Sequence, residues 1–483
     1  MTYQEAATQA FGEAVSFEAQ ILRSYDHDLG EMPRALMAMI QHRPHTVVVA
    51  RSAADVAAAL HLAERYDVPV TPRGQASAGY GGAIPCRGGM VLDLSNCNRI
   101  LAVDADNSTV DVEPGVVWED LSRALAPHGL DNRVCPTSAP SSTVGGWFAM
   151  GGVGIGSLRY GSIRDSVLEI DVAGLDGIIH TYSGADMEPF HQTCGGLGVV
   201  TRLRLACRPA EAILPLAVRL PDATATARFL TAVQTDPAVY SASLANAGYC
   251  ALRAQAEGHP PVLDSGFLVS LALVASQADT AAIARLVADC GGDLLDDAVA
   301  TQEWKGRFYP MRIKKIGPSA LVGEFFIPFE GFAATAADLT AALPGDAFGL
   351  EAFAVRGGKL AVLVYILDDA KSLLYPLRMA KAMIPLRLAA RHGGAPYAAG
   401  MWFSALASTL YGREKLAQVK RLKTRQDTRD LLNPGTVGGL WLPFLPFISL
   451  SRCILWATSC LAPLAARLSS PRRSATNHPG AAS

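Results

Sequence analysis

The fold of this chain is decided by two glycine-rich stretches, PRGQASAGYGGAIP (residues 72–85) and TVGGWFAMGGVGIGSLRYG (residues 143–161). Both are too rich in glycine and other small residues for regular structure, so each predicts a tightly turned loop. Small residues also leave backbone N–H groups open to close approach, which is what a pyrophosphate requires. Two such loops in one domain indicate a long, phosphate-bearing ligand that is held from two sides.

The sequence around these loops predicts an α+β unit. TVVVA (46–50) and VPVTP (68–72) predict strands, and a helix begins after Ser52 between them. GGVGIG (151–156) lacks the spacing of the G-x-G-x-x-G fingerprint, and no β-branched strand precedes it. A Rossmann dinucleotide fold is therefore excluded.

Helices and strands alternate from about residue 211, with few glycines. FLVSLALVA (267–275) and LAVLVYILDD (360–369) have the pattern of strands, whereas residues 223–235 and 279–292 have the pattern of amphipathic helices. Such a region is expected to fold as an antiparallel sheet with helices on one face.

The composition limits the class of function. Of 483 residues, 50% are hydrophobic and 18% are charged, which excludes a disordered chain. The formal charge is -2, so no basic field attracts nucleic acid and no nucleic-acid partner is expected. Nine scattered cysteines include no C-x-x-C pair, which argues against a zinc knuckle and an iron–sulfur cluster. The N-terminus lacks the pattern of a secretory signal, so a cytoplasmic location is expected.

The C-terminal stretch has a different character. Residues 416–435 predict a basic helix that stops at Asn433-Pro434-Gly435, and residues 437–466 carry a single charge, Arg452. That apolar segment is long enough to reach across a bilayer, but Arg452 and several prolines interrupt it. We expect an interfacial or re-entrant anchor on the cytoplasmic face of a membrane. The alternative is an arm that packs on the protein itself or on a partner subunit.

Several motifs along the chain resemble one family. Its landmarks are Pro72-Arg73-Gly74 with Ser77 and Gly81-Gly82, Thr143-Val144-Gly145-Gly146 with Gly151-Gly152, Arg159-Tyr160-Gly161, Asp176-Gly177, Leu197-Gly198-Val199-Val200-Thr201 and Asn433-Pro434-Gly435. In this order they are similar to the FAD-binding domain of the vanillyl-alcohol oxidase / p-cresol methylhydroxylase (PCMH) flavoproteins. The landmarks cover residues 46–208 and 430–437.

The resemblance implies a PCMH-type α+β FAD domain of two subdomains, with an inserted cap of antiparallel sheet and helices. The expected boundaries are 1–210 for the FAD domain (core 41–210), 211–415 for the cap, 416–440 for the return to the FAD domain and 441–483 for the tail. Backbone amides of Gly74 to Ser77 and of Gly145-Gly146 would hold the pyrophosphate. The FAD-binding residues that the resemblance implies are Pro72, Arg73, Gly74, Gln75, Ala76, Ser77, Gly81, Gly82, Pro136, Thr137, Ser142, Thr143, Gly145, Gly146, Gly151, Gly152, Tyr160, Gly161, Gly198, Val199 and Val200.

Two positions bear on how FAD is attached. Members that tether the flavin from the first loop carry a histidine there, whereas this chain has Ser77. Members with a second linkage use a cysteine near the second loop, but Cys135 lies too far ahead of Gly145-Gly146 to match it. Non-covalent FAD is therefore expected.

The resemblance also implies the reaction, in which a hydride passes from a carbon that bears a hydroxyl group to the flavin while a base accepts the hydroxyl proton. A D-2-hydroxy acid of the lactate or glycolate type is the favoured substrate. Such an acid needs a cation for its carboxylate, for which we select Arg312, and a base, for which we select His392 or Tyr309. Surface cations on a strand and a helix end are an equally good interpretation of these residues.

Several alternatives stay open. The histidine pattern with which related lactate and glycolate dehydrogenases bind a metal is absent, so no metal is expected. The substrate can equally be a polyol, a sugar or a lipid-linked alcohol. Electrons are expected to go to a membrane quinone or a partner protein. An oxygen-using oxidase and a flavin-bearing electron-transfer subunit are the rival functions, and the oligomeric state is left open.

Overall fold

Residues 1–437 are described by the structure, a computed structural model, apart from residues 31, 33–36, 39, 41, 309, 318, 344–347 and 373–374. The apolar segment for which we predict a membrane anchor therefore lies outside the described residues from position 438 onward. Within the described residues, no helix is both long enough and apolar enough to cross a bilayer.

The first sheet forms where β-branched runs alternate with a helix. Its strands are β1 (Val15–Ser16), β2 (Thr46–Val49), β3 (Val70–Arg73) and β4 (Met90–Asp93), in the order β1-β2-β4-β3. β4 runs parallel to both β2 and β3. As predicted, the helix Ala53–Tyr66 begins after Ser52, whose hydroxyl oxygen accepts a hydrogen bond from the Asp55 N–H. The first glycine-rich stretch leaves this sheet directly at the end of β3.

The second sheet is antiparallel and surrounds one long strand. Its members are β5 (Ile100–Asp104), β6 (Thr109–Val112), β7 (Leu130–Asn132), β8 (Val167–Ala173), β9 (Ile179–Ser183) and β10 (Val199–Pro209), in the order β5-β6-β10-β8-β9 with β7 also on β10. The helix Trp118–Leu125 packs here through the buried Trp118 and Leu121.

The second glycine-rich stretch contains short helices, although the sequence predicts a loop. They are Val144–Met150 and Ser157–Tyr160, followed by Ile163–Ser166. The Thr143 side chain accepts a hydrogen bond from the Gly146 N–H, which caps the first of these helices despite its glycines. Gly151, with φ at 88°, ends it.

The cap is an eight-stranded antiparallel sheet. It contains β11 (Ile213–Leu220), β12 (Val239–Asn246), β13 (Phe267–Val274), β14 (Asp293–Leu294), β15 (Ser319–Pro328), β16 (Phe348–Val355), β17 (Lys359–Asp368) and β18 (Ala395–Pro396), in the order β14-β11-β13-β12-β16-β17-β15-β18. The two stretches that predict strands form β13 and β17. The antiparallel architecture predicted for this region is thus confirmed, and with it the α+β class.

Helices lie on both faces of this sheet, not on one as expected. One face carries the helices Ala223–Val233, Thr280–Asp289, Phe329–Ala342 and Met383–Arg391 over a large apolar core. The other face is covered at one end by the helices Ala247–Glu257 and Asp297–Lys305. The rest of that second face stays open and turns toward the glycine-rich loops.

The chain returns to the first sheet at its C-terminal end. The helix Ala407–Gln426, kinked at Gly412, ends earlier than the predicted stop at Asn433-Pro434-Gly435. It ends early because the buried Asp427 carboxylate accepts hydrogen bonds from the Leu431 and Leu432 N–H groups, at 2.7 and 2.8 Å. Leu432 then forms a parallel bridge with Val70.

The side chain of Asn433 joins two loops that are far apart in sequence. Its amide nitrogen donates to the carbonyl oxygens of Gly82, at 2.8 Å, and Cys194, at 2.6 Å. Residues near the end of the described chain therefore fix the walls of the cavity described next.

Candidate active site

A cavity of about 860 Å³ lies between the two glycine-rich stretches and the open face of the cap sheet. Loops 72–83 and 136–146 form one end of it together with the start of β10. Strands β15 and β17 line it from the cap, and the segment 397–403 lines it beside Tyr80 of the first loop, whose carbonyl oxygen accepts from the Met401 and Trp402 N–H groups. The two halves of the chain therefore share one internal space.

The two glycine-rich stretches touch each other at Gly74. A Cβ atom on Gly74 would lie 2.5 Å from the Thr143 hydroxyl oxygen, closer than real contacts allow. A Cβ on Gly146 would likewise lie 2.8 Å from that oxygen and has no other neighbour within 4 Å. The absence of a side chain at Gly74 thus lets the two stretches meet, and its absence at Gly146 leaves room for the Thr143 hydroxyl.

The first loop presents a row of backbone donors. Among the described residues, the N–H groups of Gly74, Gln75, Ala76 and Ser77 find no acceptor. Ala76 takes a left-handed φ of 49°, which turns successive N–H groups toward one side. These residues line the cavity, so the arrangement fits the negative charge of a diphosphate.

The second glycine-rich stretch does not offer open backbone N–H groups at Gly145 and Gly146, although the resemblance implies that it does. Gly145 N–H donates to the Pro114 carbonyl oxygen at 2.8 Å, and Gly146 N–H donates to the Thr143 hydroxyl at 3.3 Å. Both amides, which the resemblance assigns to the pyrophosphate, are therefore engaged inside the protein. These glycines shape the wall, while the first loop offers the open donors.

The first loop is held in place by the N-terminal segment. The Asp28 carboxylate accepts hydrogen bonds from the N–H groups of Gly30, at 2.8 Å, and Gly81, at 2.7 Å. Arg73 donates to the carbonyl oxygens of His27 and Ala83, so its guanidinium braces the loop. Burial raises the pKa of Asp28 to about 6, against the lowering effect of the two N–H donors.

Most of the predicted FAD-binding residues line this cavity. They are Pro72, Arg73, Gly74, Gln75, Ala76, Ser77, Gly82, Pro136, Thr137, Ser142, Thr143, Gly145, Gly146, Gly198, Val199 and Val200. The remaining predicted residues, Gly81, Gly151, Gly152, Tyr160 and Gly161, are not among the lining residues.

Those five residues have neighbours of their own. A Cβ on Gly81 would meet the Trp402 ring, and the equivalent atoms of Gly151 and Gly152 would meet the Gln192 and Trp147 side chains. The ring of Tyr160 packs against Tyr240, with centroids 6.3 Å apart. Gly161 lies against the Asp165 carboxylate.

The residues selected for catalysis are not gathered in the cavity. Arg312 forms an ion pair with Glu257 and donates to the carbonyl oxygens of Gly306 and Phe308. Its charge is thus balanced on the far part of the cap, and it is not among the lining residues.

His392 lies at the end of the helix Met383–Arg391, where its Nε2 is 3.0 Å from Asp338 Oδ2. It does not line the cavity either. Tyr309, the third selected residue, lies outside the described residues. Arg312 and His392 are each paired with a carboxylate and lie outside the described lining, and their selection as catalytic residues stays a prediction.

A carboxyl group that the sequence analysis missed does reach the cavity. Glu324 projects from β15 and accepts a hydrogen bond from the Tyr80 hydroxyl on the first loop. Tyr397 lines the cavity beside it, and its hydroxyl oxygen accepts from the Val153 N–H at 3.2 Å. Burial is the main cause that raises the pKa of Glu324 to about 8, and the charge of Glu351 adds to it.

Glu351 occupies the same face of the sheet, two strands away. Both glutamates pair with Leu363, on either side of β17. The Tyr365 hydroxyl donates to Glu351 at 3.2 Å, and burial raises the pKa of that carboxyl to about 7. One signal could have identified both residues: each is the single charged residue inside an apolar strand, SALVGEFFIP or FGLEAFAV.

Comparison with known proteins identifies the part of the chain that contains the two glycine-rich stretches. Residues 44–183 match the family described as FAD binding domain. The chain carries a PCMH-type FAD-binding domain. This confirms the cofactor, FAD, that the resemblance implies.

The curated relatives match the chain only in part. It is 32% identical over 211 residues to glycolate oxidase subunit GlcD of Bacillus subtilis (strain 168), which covers 41% of this chain and 45% of that protein. It is 32% identical over 197 residues to D-lactate dehydrogenase of Anaerostipes hadrus, covering 38% and 41%. The chain thus spans less than half the length of either relative.

Solved structures match over nearly the whole chain. p-Cresol methylhydroxylase with substrate bound has a TM-score of 0.75 at 18% identity, covering 90% of this chain and 96% of that one. 4-Ethylphenol oxidase from Gulosibacter chungangensis has a TM-score of 0.75 at 17% identity, covering 91% and 97%. These likenesses confirm the fold, including the cap.

Proposed function

We propose that this protein is an FAD-dependent oxidoreductase that oxidises a CH–OH group. The observation that carries the proposal is the single cavity that joins the open N–H groups of the first loop to the carboxyl group of Glu324. Such a reaction needs a bound cofactor that accepts the hydride and an acid–base group that accepts the proton.

The residues of the chain have separate roles in cofactor binding and in proton transfer. Gly74 to Ser77 hold the diphosphate through their N–H groups, and the contact with Thr143 fixes that loop. FAD held there would supply the acceptor for the hydride of the substrate's C–H bond. Glu324 accepts the hydroxyl proton at its carboxylate oxygen, so that CH–OH becomes C=O. The Tyr80 hydroxyl orients this carboxylate.

The attachment of FAD is proposed to be non-covalent. Ser77 lines the cavity at the position of the tethering histidine, and no histidine is found among the described lining residues. Burial raises the pKa of Cys194, the cysteine that does line it, to about 12, so its thiol stays protonated and a poor nucleophile. Cys135 is not among the described lining residues. Acid precipitation should therefore release all the FAD into the supernatant, and yellow colour that remains in the pellet would contradict this.

A 2-hydroxy acid is the first substrate class to test. The relatives named glycolate oxidase subunit and D-lactate dehydrogenase support that choice. The electrons are proposed to pass to a quinone or a partner protein, reached through a peripheral membrane contact of residues 437–466. Fractionation without detergent, with and without these residues, tests that contact.

The experiment for the reaction itself is anaerobic reduction of the bound flavin. The FAD-loaded protein is mixed without oxygen with hydroxy acids, primary alcohols, polyols and sugars, and bleaching of the flavin absorbance is followed. We expect at least one class to bleach the wild type, while Glu324→Gln stays yellow and oxidised. Bleaching by none of them would refute the proposed reaction, and a Gln variant with the wild-type rate would exclude Glu324 as the base.

A further inference from the structure

The cap end of the cavity has an apolar part, which we call the arm. It is lined by Met311, Val322 and Leu363 and, at the edge of the sheet, by Met379, Met383 and Leu386. At the cap end, the charged side chains among the described lining residues are Glu324 and Lys314. A small, fully polar substrate would gain no binding energy from such an apolar surface.

The arm follows the edge of the cap sheet. β18 pairs with β15 at Phe325 and Phe326, and the helical segment 379–391 lies beside the preceding part of β15. A Cβ on Gly323 would lie 2.8 Å from both the Ala382 carbonyl oxygen and Pro385 Cγ, which shows how closely the two run together.

One face of this helical segment supplies the wall. Met379, Ala382, Met383 and Leu386 all line the cavity and follow each other at positions i, i+3, i+4 and i+7. From the first to the last, the wall extends about 12 Å, at about 2.0 Å per residue in the 3-10 turn Met379–Ala382 and about 1.5 Å per residue after it. Roughly eight to ten carbon atoms of an extended chain cover that distance. Thioether side chains adapt their shape to such a chain.

We infer that the hydroxylated substrate carries an unbranched apolar chain of about eight to ten carbons, which lies in this arm while its CH–OH group meets Glu324. The inference rests on the proposed function. It separates this protein from one whose best substrate is a two- or three-carbon hydroxy acid, because the apolar wall stabilises only a substrate that reaches it.

A chain-length series tests the inference. The FAD-loaded full chain is mixed anaerobically with D-2-hydroxy acids of two to twelve carbons and, in parallel, with primary alcohols of the same lengths. The second-order rate constant of flavin reduction should rise about fourfold per methylene group, the factor that corresponds to burial of one CH₂, and level off at about eight to ten carbons.

The outcomes of this series separate the two proposals. If glycolate or D-lactate reduces the flavin as fast as the eight-carbon acid, and ethanol as fast as octanol, the inference is refuted while the proposed function stands. If no compound of either series reduces the flavin but a polyol or a sugar does, the inference alone is refuted; if polyols and sugars fail as well, both are refuted.

Three variants locate the effect in the arm. Met383→Glu places a charge on the wall and should flatten the dependence of the rate on chain length. Ala390→Glu, on the exposed side of the same helix, should leave the series unchanged. Met383→Trp fills the arm and should shorten the optimum by several carbons, so it replaces the first variant if that one does not fold. A series that is steep in both Met383 variants would refute this placement.

Discussion

Replacement of Glu324 by glutamine should make the protein more stable and less active at the same time. Burial raises the pKa of this carboxyl from 4.5 to about 8, so its ionised form destabilises the folded state. The whole shift corresponds to about 5 kcal/mol at 1.36 kcal/mol per pKa unit, and roughly half of it develops between pH 6 and pH 9. The sign follows from proton counts: in this range the folded state binds more protons than the unfolded state, so stability falls as pH rises.

Glutamine keeps the shape of the side chain and cannot ionise. Glu324→Gln should therefore gain about 2–3 kcal/mol over the wild type between pH 6 and pH 9, measured by urea denaturation at both values. Flavin reduction should fall by about 10²–10⁴-fold, and the wild-type rate should rise with pH and level off above about pH 8.

Glu414→Gln is the matched control, because Glu414 is exposed on the C-terminal helix. It should change neither the pH dependence of stability nor the rate. A Glu324→Gln protein whose stability follows the wild-type pH curve would show that this carboxyl is ionised at neutral pH. The assignment of a buried, proton-accepting group would then be wrong.

Two further predictions concern the cavity wall and the C-terminal return. Gly74→Ala should weaken FAD binding at least tenfold, or about 1.4 kcal/mol, because its Cβ would lie 2.5 Å from the Thr143 hydroxyl oxygen. The affinity is measured by flavin fluorescence, and Thr143→Ala in the same chain should restore part of it. If Thr143→Ala restores none of the affinity, another contact is responsible for the loss. Lys423→Met should cost about 3–5 kcal/mol in urea denaturation, because it leaves the Asp427 carboxylate buried without the ammonium that lies 2.6 Å away. Lys420→Met, at an exposed position, is its control, and equal losses in both variants would refute the buried ion pair.

Local pattern was enough to predict much of the fold. β2, β13 and β17 come from runs of β-branched and aliphatic residues, and the helix after Ser52 has its cap in the sequence. The short helix after Thr143 was missed because glycine lowers helix propensity, and a single hydroxyl cap outweighs that here. The second layer of cap helices was missed because both faces of its strands are apolar enough to be covered.

The candidate site was predictable only where its residues are neighbours in sequence. The first loop is one continuous stretch, and it lines the cavity as a unit. Arg312 was chosen because the sequence around it is basic, but Glu257, 55 positions earlier, already balances its charge. Glu324 meets Tyr80 across 244 positions, a contact that no local pattern reveals. The signal in the sequence that could have identified Glu324 was its position as an isolated carboxyl group within an apolar strand.

The hydrogen bonds of Asn433 have a consequence for biosynthesis. Its side chain ties together the carbonyl groups of Gly82 and Cys194, which lie in two different loops that line the cavity. During translation, Gly82 and Cys194 are synthesised early, whereas Asn433 follows some 240 positions after Cys194. We therefore expect the two loops to be joined, and the flavin to be retained, only after residue 433 has been synthesised.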